Sequence, residues 1–483
     1  LYGKQTGCCG GKGGSMHLSN VEKGMMGTSA VVATTIPQAV GYAYAVKQKK
    51  EKRVVSVFFG DGATEEGVFY ESLNFAALKK VPIIFICENN QLAIHTHQRE
   101  RQAACDISAL PKALGIKTSK IDSNDPIEIY NFVKDISTKM KNGEESGPYF
   151  IECSTCRWKE HVGPNEDFNL GYRDAEQVKG WIENDALVAV GKLLDAGKKS
   201  AIEQEVEREI VEAIAFAEES PEPAETELKK DLFSTRKTIS LGLKAPKDLS
   251  RELRFSEAVR EALHTELARN PDALVYGLDV DDPKAILGTT KDLVANFGSD
   301  RVFGTPLAED AMTGVGVGMA LAGLRPVHVH IRMDFLLLAM NQLVNIAAKT
   351  AYMFAGQCAV PLVVRTLIGR SWGQGAQHSQ AFHAYFMHVP GIKVVAPATP
   401  YDAKGCLLAA MRDGNPVVYI EHRLLHYQNG PVPAEDYEVV PGKARVTMTG
   451  EALTIVGVSH MQLECVRAAR MLKKMGIDVE VID

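Results

Sequence analysis

The chain has 483 residues, of which 45% are hydrophobic, enough for several cores in about two to four domains. Its 54 lysines and arginines against 60 aspartates and glutamates give a net charge of −6, which gives no sign of a nucleic-acid or membrane partner. We find neither an apolar run of membrane-spanning length nor a signal-peptide pattern, and the cysteine usage leads us to expect a cytoplasmic protein.

Polar turns follow two strongly apolar runs in the first part of the chain. The first run leads into Gly60-Asp61-Gly62 and the second leads to Asn90. Both runs are typical of buried parallel strands. The carboxylate of Asp61 and the amide oxygen of Asn90 suit Mg²⁺ bound together with a phosphate. The flanking glycines would let the backbone approach the phosphate oxygens.

A lone Gly-Asp-Gly is common in turns, so the spacing of the two turns carries the argument. Between Gly62 and Asn89 lie 26 residues, and the segment from Thr64 to Leu78 is predicted to be a helix. The whole pattern resembles the thiamine diphosphate motif of the thiamine-dependent enzymes.

The nine cysteines do not predict a disulfide scaffold in a chain of this length. Cys153 and Cys156 form a Cys-x-x-Cys, but we find no second pair at the spacing of a zinc site. We expect both to lie in or just after a strand.

The order of elements predicts an α/β protein with several segments. Strands and helices alternate from about residue 30 to 200, which predicts a parallel sheet covered by helices. A charged amphipathic helix over 201–219 then ends at a proline-rich break, and a polar stretch follows it. We predict a first domain over 1–223, a linker over 224–250, a second domain over 251–440 and the beginning of a third over 441–483. We expect the chain to be a fragment of a longer polypeptide.

Four short segments resemble one family when they are taken in order. The segment from Gly10 to His17 resembles the entry segment of an α subunit, and the segment from Tyr149 to Arg173, which contains Arg157 to His161, resembles its active-site loop. The segments 305–309 and 377–380 resemble signatures of a β subunit. The family is the decarboxylating component of the 2-oxo acid dehydrogenase complexes, here with its α and β subunits fused.

The resemblance implies the fold. It implies a diphosphate-binding domain and a pyrimidine-binding domain, each a parallel sheet with helices on both faces. It also implies the start of a domain like the C-terminal domain of transketolase.

The resemblance also implies thiamine diphosphate and Mg²⁺ as cofactors. It assigns the metal to Asp61, Asn90 and the backbone carbonyl of Leu92. The remaining cofactor contacts that it implies are Gly60, Gly62, Ala30, Val32, Ile94, Arg157, Leu307 and Phe335. For Ile94 and Val32, plain core packing remains an alternative that spacing does not decide.

Three residues match catalytic positions of the family. Glu309 matches the carboxylate that promotes the imino tautomer of the cofactor's aminopyrimidine ring. By itself, an acidic residue at that place could equally be a charge at a helix start. His161 and His378 match histidines that manage protons and guide the incoming lipoyl group.

The resemblance implies oxidative decarboxylation of a small 2-oxo acid, of the pyruvate or branched-chain type. The acyl unit would pass to a lipoyl group on a dihydrolipoamide acyltransferase partner. An acetoin-cleaving dehydrogenase and a transketolase-like enzyme of carbon–carbon bonds remain alternatives. A catalytically dead scaffold is disfavoured because Asp61, Glu309 and His378 are all present. We expect a homodimer in which each cofactor contacts two copies of the chain.

Arg332 departs from the family, whose members commonly have an apolar residue there. Strand alternation would place Ile331, Met333 and Phe335 on one face and Arg332 on the other. We therefore expect Arg332 to pair with an acid rather than with the substrate.

Overall fold

The computed structural model describes residues 1–236, 238–243, 246, 248–370 and 373–483. These residues form two compact units, Leu1–Leu228 and Lys229–Asp483. Residues 237, 244, 245 and 247 of the expected linker lie outside the described residues. Within the described part of the chain, no helix has both the length and the apolar character needed to cross a membrane.

Part of the stretch expected to be a linker is bound to the second unit. The side chain of Asn415 accepts from the Ser234 amide at 2.7 Å and donates to the Ser234 carbonyl at 2.9 Å. The Ile239 amide donates to the carbonyl of Arg412 at 2.8 Å. These contacts fix the positions of Ser234 and Ile239 on the second unit.

The first unit is built on a parallel sheet of four strands with a small hairpin beside it. The strands in chain order are β1 Val55–Gly60, β2 Ile83–Asn89, β3 Leu92–Ala93, β4 Thr96–His97, β5 Lys117–Ile121 and β6 Tyr149–Ser154. The sheet order is β1-β2-β6-β5, and β3 pairs with β4 as the hairpin. The strand β2 is apolar and almost wholly buried, as expected for an interior parallel strand.

The helices of the first unit are α1 Thr35–Gln48, α2 Gly67–Lys79, α3 Gln98–Arg101, α4 Ala109–Ala113, α5 Pro126–Asn142, α6 Ala175–Glu183, α7 Ala186–Gly191 and α8 Ala196–Glu219. The helix predicted from Thr64 begins only at Gly67, because Asp61–Glu65 form a 3-10 turn and Glu66 is extended. The helix predicted over 201–219 begins earlier, at Ala196, where Asp195 caps the amide of Lys198.

The second unit contains a larger parallel sheet. Its strands are β7 Glu252–Arg254, β8 Ala273–Gly277, β9 Val302–Gly304, β10 Arg325–His330, β11 Val363–Ile368, β12 Lys393–Val395, β13 Val417–His422, β14 Asn429–Pro431, β15 Val446–Met448, β16 Leu453–Val456 and β17 Val479–Ile482. The six-stranded sheet has the order β12-β13-β11-β10-β8-β9, and all its strands are parallel. A separate sheet, β15-β17-β16, occupies the end of the chain.

The helices of the second unit are α9 Phe255–Arg269, α10 Ala285–Gly288, α11 Leu293–Phe297, α12 Glu309–Leu321, α13 Ala348–Met353, α14 His383–Met387, α15 Pro400–Arg412 and α16 His460–Lys474. Two apolar clusters form the core of this unit. One includes α9 and α15, and the other includes α12 and the segment from Met333 to Ala347. Glycines in α12 permit close packing, since a Cβ at Gly316 would lie 2.3 Å from the hydroxyl of Tyr276.

A buried ion pair joins two neighbouring strands of the larger sheet. The guanidinium of Arg365 in β11 binds both carboxylate oxygens of Glu421 in β13, at 2.9 Å for Nη2 to Oε2. Both side chains are fully buried. Glu421 also contacts His426 at 2.8 Å, and Arg365 donates to the hydroxyl of Thr289 at 2.7 Å. Replacing one partner of such a pair is strongly destabilising, because the other partner then remains as a buried charge without a counter-ion.

We therefore expect Glu421→Gln to lower the free energy of unfolding by about 3–5 kcal/mol. Urea unfolding followed by circular dichroism would measure the change. Glu464→Gln is the matched control, because Glu464 pairs with Arg467 on the exposed face of α16 and should matter by less than about 0.5 kcal/mol. Equal effects of the two substitutions would contradict the assignment of this pair as a stabilising element.

Candidate active-site residues in the two units

Asp61 lies at the carboxyl edge of the first sheet, directly after β1. It is fully buried, although it is a carboxylate. The neighbouring strand β2 runs parallel to β1 with Gly60 opposite Glu88, so the residues after β2 emerge beside Asp61. The ends of parallel strands are where α/β folds place their ligands.

Arg101 is the cation that meets this buried carboxylate. Its Nη2 donates to Asp61 Oδ2 at 2.5 Å, and its Nη1 binds Glu65. Burial raises the pKa of Asp61, and the hydrogen bond and charge of Arg101 oppose that effect. Among the described residues, the other carboxylate oxygen, Oδ1, is buried without a hydrogen-bond partner. A buried carboxylate oxygen with no protein donor is suited to a metal ion.

Asn90 and Leu92 surround the same strand end. The side-chain oxygen of Asn90 accepts from the Leu92 amide at 2.9 Å, which orients the turn between β2 and the hairpin. The hairpin comes so close that a Cβ at Gly62 would lie 3.0 Å from the Cβ of Ala93. In the described part of the chain, no three His, Cys, Asp or Glu side chains form a metal cluster. Of the three candidate ligands, only Asp61 is one of these side chains. The other two are the side-chain amide of Asn90 and the backbone carbonyl of Leu92.

Ile94 lies at the tip of this hairpin in an unusual conformation. Its φ is +55°, which is a true outlier for a β-branched residue. Its side chain is 55% exposed, and that of Val32 is 56% exposed. Both are therefore outside the core of their unit, so core packing does not account for them.

Ala30 lies on an exposed loop just before α1, and the side chain of His17 is hydrogen-bonded to that loop. The Ala30 amide donates to Nε2 of His17 at 3.4 Å, and Nδ1 of His17 lies 3.1 Å from the Gly13 carbonyl. The ring therefore carries its proton on Nδ1, because Nε2 must accept. His17, to which the sequence assigned no role, thus links the glycine-rich segment to the loop of Ala30.

Arg157 follows β6 and belongs to a network of charged groups. Its Nη2 donates to the hydroxyl of Tyr172 at 2.6 Å, and that hydroxyl donates to the buried carboxylate of Asp167. Arg173 donates to Asp167 at 2.6 Å and to the carbonyl of Lys159 at 3.0 Å. Because both ends of the loop are fastened in this way, the Arg157 guanidinium is held in place beside Tyr172.

His161 lies at the exposed tip of this loop. The turn that carries it is closed by a bond of 2.9 Å from the Glu160 amide to the Asn165 carbonyl. Tyr172 also contacts the hairpin, since its ring lies 4.7 Å from that of His95 and its carbonyl lies 2.7 Å from Nε2 of His97. The loop of Arg157 and the hairpin of Ile94 are therefore joined through Tyr172.

In the second unit, Leu307 and Glu309 occupy the turn from β9 into α12. Glu309 is the first residue of α12 and is half-buried. Leu307 is 80% exposed. The Glu309 carbonyl accepts from the Thr313 hydroxyl at 2.8 Å, which anchors the first turn of the helix.

Phe335 and His378 meet at the carboxyl edge of the second sheet. Their rings are 5.3 Å apart at an interplanar angle of 89°. Gln380 fastens the loop of His378, because its amide and its side chain donate to Asp334 Oδ1 at 3.2 and 2.8 Å. Nδ1 of His378 is buried and has no hydrogen-bond partner among the described residues. The imidazole is therefore positioned by packing and keeps a nitrogen available.

The alternation expected around Arg332 is wrong. The strand β10 ends at His330, and a 3-10 helix runs from Met333 to Ala339. Met333 is therefore buried while Phe335 is 37% exposed, and the two do not share a face. Arg332 is buried and donates to Gln374 Oε1 at 2.8 Å and to the Ile331 carbonyl at 3.1 Å. These two hydrogen bonds go to neutral oxygens.

Sequence reasoning missed several residues that position the candidate groups, namely Arg101, Asp167, Tyr172, Arg173 and Gln374. None of them belongs to a motif that the chain presents in one segment. The only signal in the sequence is the presence of arginines in polar loops after predicted strands, and this signal is weak.

Comparison with known proteins assigns a family to each part of the chain. Residues 1–226 match the dehydrogenase E1 component family. Residues 251–428 match the transketolase pyrimidine binding domain, and residues 442–483 match the transketolase C-terminal domain.

Two curated relatives illustrate the similarity of the second part. Pyruvate dehydrogenase E1 component subunit beta of Rhizobium meliloti is 42% identical over 228 residues, which cover 47% of this chain and 50% of the relative. Acetoin:2,6-dichlorophenolindophenol oxidoreductase subunit beta of Cupriavidus necator is 38% identical over 245 residues, covering 49% of this chain and 72% of the relative. The chain thus spans about half the length of the first of these relatives.

Solved transketolases share the fold. The enzyme from Campylobacter jejuni has a TM-score of 0.64 at 17% identity, covering 94% of this chain and 71% of its own. That from Leishmania mexicana has a TM-score of 0.62 at 15% identity, covering 94% and 69%. The predicted α/β class with parallel sheets is confirmed by these matches and by the observed topology.

The fold and the family matches define a thiamine-diphosphate enzyme of transketolase-like architecture. Within that class, the chain belongs to the E1 component family of the 2-oxo acid dehydrogenases. It carries the α-like and β-like parts in one polypeptide, which confirms the resemblance seen in the motifs.

Proposed function

We propose that this chain catalyses the oxidative decarboxylation of a 2-oxo acid and passes the acyl unit to a lipoyl group of a dihydrolipoamide acyltransferase. The observation that carries the proposal is the presence of both E1 parts in one chain. In each part, the candidate residues follow parallel strands at the carboxyl edge of a sheet. The name of one curated relative, pyruvate dehydrogenase E1 component subunit beta, supports this reaction class.

We propose Mg²⁺ together with thiamine diphosphate, held by Asp61, Asn90 and the carbonyl of Leu92. The support is the buried Oδ1 of Asp61, which has no protein donor among the described residues. Gly60 and Gly62 would leave room for phosphate oxygens, and the guanidinium of Arg157 would supply fixed donors to them. Ile94, exposed at the hairpin tip, would contact the cofactor between its rings.

Thiamine diphosphate supplies, when bound, a thiazolium carbon that becomes a nucleophile on losing a proton and then accepts electrons from the departing carboxylate. The chain's own groups would manage the protons. Glu309 would hold a proton at a nitrogen of the pyrimidine ring, on which Phe335 would stack. His378, with its available nitrogen, and His161 at the loop tip would bind or move protons of the reacting acyl and lipoyl groups.

Two alternatives keep the cofactor but change the reaction. The Cupriavidus relative is named for acetoin oxidation, which favours an acetoin-cleaving dehydrogenase as second candidate. A transketolase-like reaction has only the support of structures that share 15–17% identity, and such similarity indicates the fold alone.

The metal site yields the first test of this proposal. We expect Asp61→Asn to weaken thiamine diphosphate binding in Mg²⁺ by at least about tenfold, because a neutral amide is a poorer ligand for a hard cation. Isothermal titration calorimetry with and without Mg²⁺ would measure it. Asp135→Asn makes the same change on the exposed face of α5 and should leave binding unchanged. Unaltered affinity in Asp61→Asn would rule out the proposed ligand.

The reaction itself can be tested with an artificial electron acceptor. With thiamine diphosphate, Mg²⁺ and a 2-oxo acid, we expect the full chain to reduce dichlorophenolindophenol. Glu309→Gln should bind the cofactor but lower the rate about 10²–10⁴-fold, the usual contribution of a general acid–base group. Glu464→Gln is the control. Acceptor reduction with acetoin alone would favour the second candidate, and none with any 2-oxo acid would refute the proposal.

We further propose that the chain is a homodimer whose active sites draw residues from both copies. The support is that apolar candidate residues are exposed in each unit, Val32 and Ile94 in the first and Leu307 and Phe335 in the second. Exposed apolar groups of this kind mark surfaces that bind a ligand or another protein.

Mixed dimers would test this arrangement. When Asp61→Asn and Glu309→Gln chains are co-expressed with different tags and purified as mixed dimers, one site should be intact and the other doubly altered. We expect about half the activity of the wild-type dimer. If each site belonged to one copy, both sites would carry a lesion and the mixed dimer would be inactive. Light scattering that shows an active monomer would also contradict the dimer.

A further inference from the structure

One arginine fastens the turn of Asp61 to the hairpin that carries Leu92 and Ile94. Arg101 ends the short helix α3, and its side chain is 10% exposed. Its Nη2 donates to Asp61 Oδ2 at 2.5 Å, and its Nε donates to the carbonyl of Thr96, in β4, at 3.0 Å. The same guanidinium therefore binds the residue after β1 and the hairpin after β2.

Further hydrogen bonds hold this arrangement from both sides. Arg101 Nη1 binds Glu65, at the end of the 3-10 turn after β1, and Gln102 Nε2 donates to the same carboxylate at 3.0 Å. The base of the hairpin is closed by a bond of 2.8 Å from the Gln98 amide to the Gln91 carbonyl. The guanidinium thus makes three bonds in fixed directions, which the single ammonium group of a lysine would not reproduce.

The bond from Arg101 divides the two oxygens of the Asp61 carboxylate between different partners. Oδ2 accepts from the guanidinium, whereas Oδ1 is buried and has no hydrogen-bond partner among the described residues. A metal ion at this place would therefore meet a single oxygen of Asp61, because the other oxygen is bound to a cation. The other two candidate ligands, the Asn90 side chain and the Leu92 carbonyl, offer one neutral oxygen each.

The space at this strand end is narrow. A Cβ on Gly62 would lie 3.0 Å from the Cβ of Ala93 in the hairpin and 3.9 Å from Nη1 of Arg101. Because the hairpin is fastened at this distance, the ligands that it carries have little freedom to move away from Asp61.

Few oxygens in fixed positions suit one divalent cation better than another. Mg²⁺ requires a compact octahedral shell and is usually held by one or two carboxylates together with phosphate oxygens. Ca²⁺ takes more oxygens at longer distances, often including both oxygens of one carboxylate. The contacts of Arg101 therefore favour Mg²⁺.

We propose that Arg101 makes this site specific for Mg²⁺ over Ca²⁺. By binding Oδ2, it restricts Asp61 to one ligand oxygen, and by binding Thr96 it keeps the hairpin ligands at a fixed distance. It acts through Asp61 and the hairpin and is therefore a positioning residue. This inference rests on the proposed function, because it concerns the metal of the same cofactor site.

The ratio of binding in the two metals separates this role from effects of charge and of folding. Mg²⁺ and Ca²⁺ carry the same charge, so removal of a nearby cation changes the attraction of both alike. A general loss of structure would also weaken binding with either metal. A change in the number or spacing of ligand oxygens, in contrast, alters the ratio.

Binding of thiamine diphosphate would measure this ratio without turnover. In isothermal titration calorimetry of the full chain, we expect the dissociation constant of the cofactor to be at least about tenfold higher in Ca²⁺ than in the same concentration of Mg²⁺. Arg101→Met keeps an unbranched side chain but has no donor, and it should lower the ratio to about threefold or less, because Asp61 gains a second ligand oxygen. Arg101→Lys keeps a cation that can bind Oδ2 and should give an intermediate ratio.

Arg99→Met is the matched control, because it makes the same change on an exposed side chain of α3. It should keep the wild-type ratio. Arg101→Ala also lacks a donor and replaces Arg101→Met, with the same expected ratio, if circular dichroism shows that the methionine variant is unfolded.

The outcomes separate this inference from the proposed function. Equal cofactor affinity of the wild type in the two metals, or a wild-type ratio without the Arg101 donor, would overturn the inference and leave the proposed function standing. The expected ratios without oxidation of any 2-oxo acid would support the role of Arg101 and refute the proposed reaction. Failure of the wild type to bind the cofactor in either metal would refute the proposed cofactor site, and this inference with it.

Discussion

The burial of the parallel sheets is the constraint on which the rest of the structure depends. Inside such a sheet, the backbone groups pair with one another and the side chains are enclosed by helices, so polar groups gather where strands end. Asp61 and Asn90 follow two adjacent strands of the first unit, and Arg332 and Arg423 follow strands of the second. In both units, these candidate residues therefore lie at one edge of a sheet.

Charge compensation at these edges accounts for the residues around the candidate groups. Asp61 is a buried anion, and Arg101 offsets only one of its two oxygens. Arg332 and Arg423 are buried cations that both contact the side-chain oxygen of Gln374 and interact with the charge of Asp334. A buried charge is tolerated only when it is paired or ligated. The same physical argument therefore predicts a cation ligand beside Asp61 in the first unit.

Much of the fold could be predicted, and so could the place of Asp61 and Asn90 after two neighbouring strands, because apolar runs and their terminal turns are local in sequence. The positioning groups could not. Arg101 is 40 residues from Asp61 along the chain, and the Tyr172–Asp167 pair depends on the path of a loop. The prediction for Arg332 was wrong because it continued the strand period past His330, where the chain turns into a 3-10 helix that buries Met333.

The sequence by itself determined the family, the α/β class and the candidate residues Asp61, Asn90, Glu309 and His378, because each of these lies in a short motif with fixed spacing. Only the tertiary structure decided which residues surround them. Several of these contacts join segments that are distant in sequence. They are the contacts of Arg101 with Asp61, of His17 with the Ala30 amide, and of Arg332 and Arg423 with Gln374. Such contacts follow from how strands order themselves in a sheet, and no local pattern of residues encodes that order.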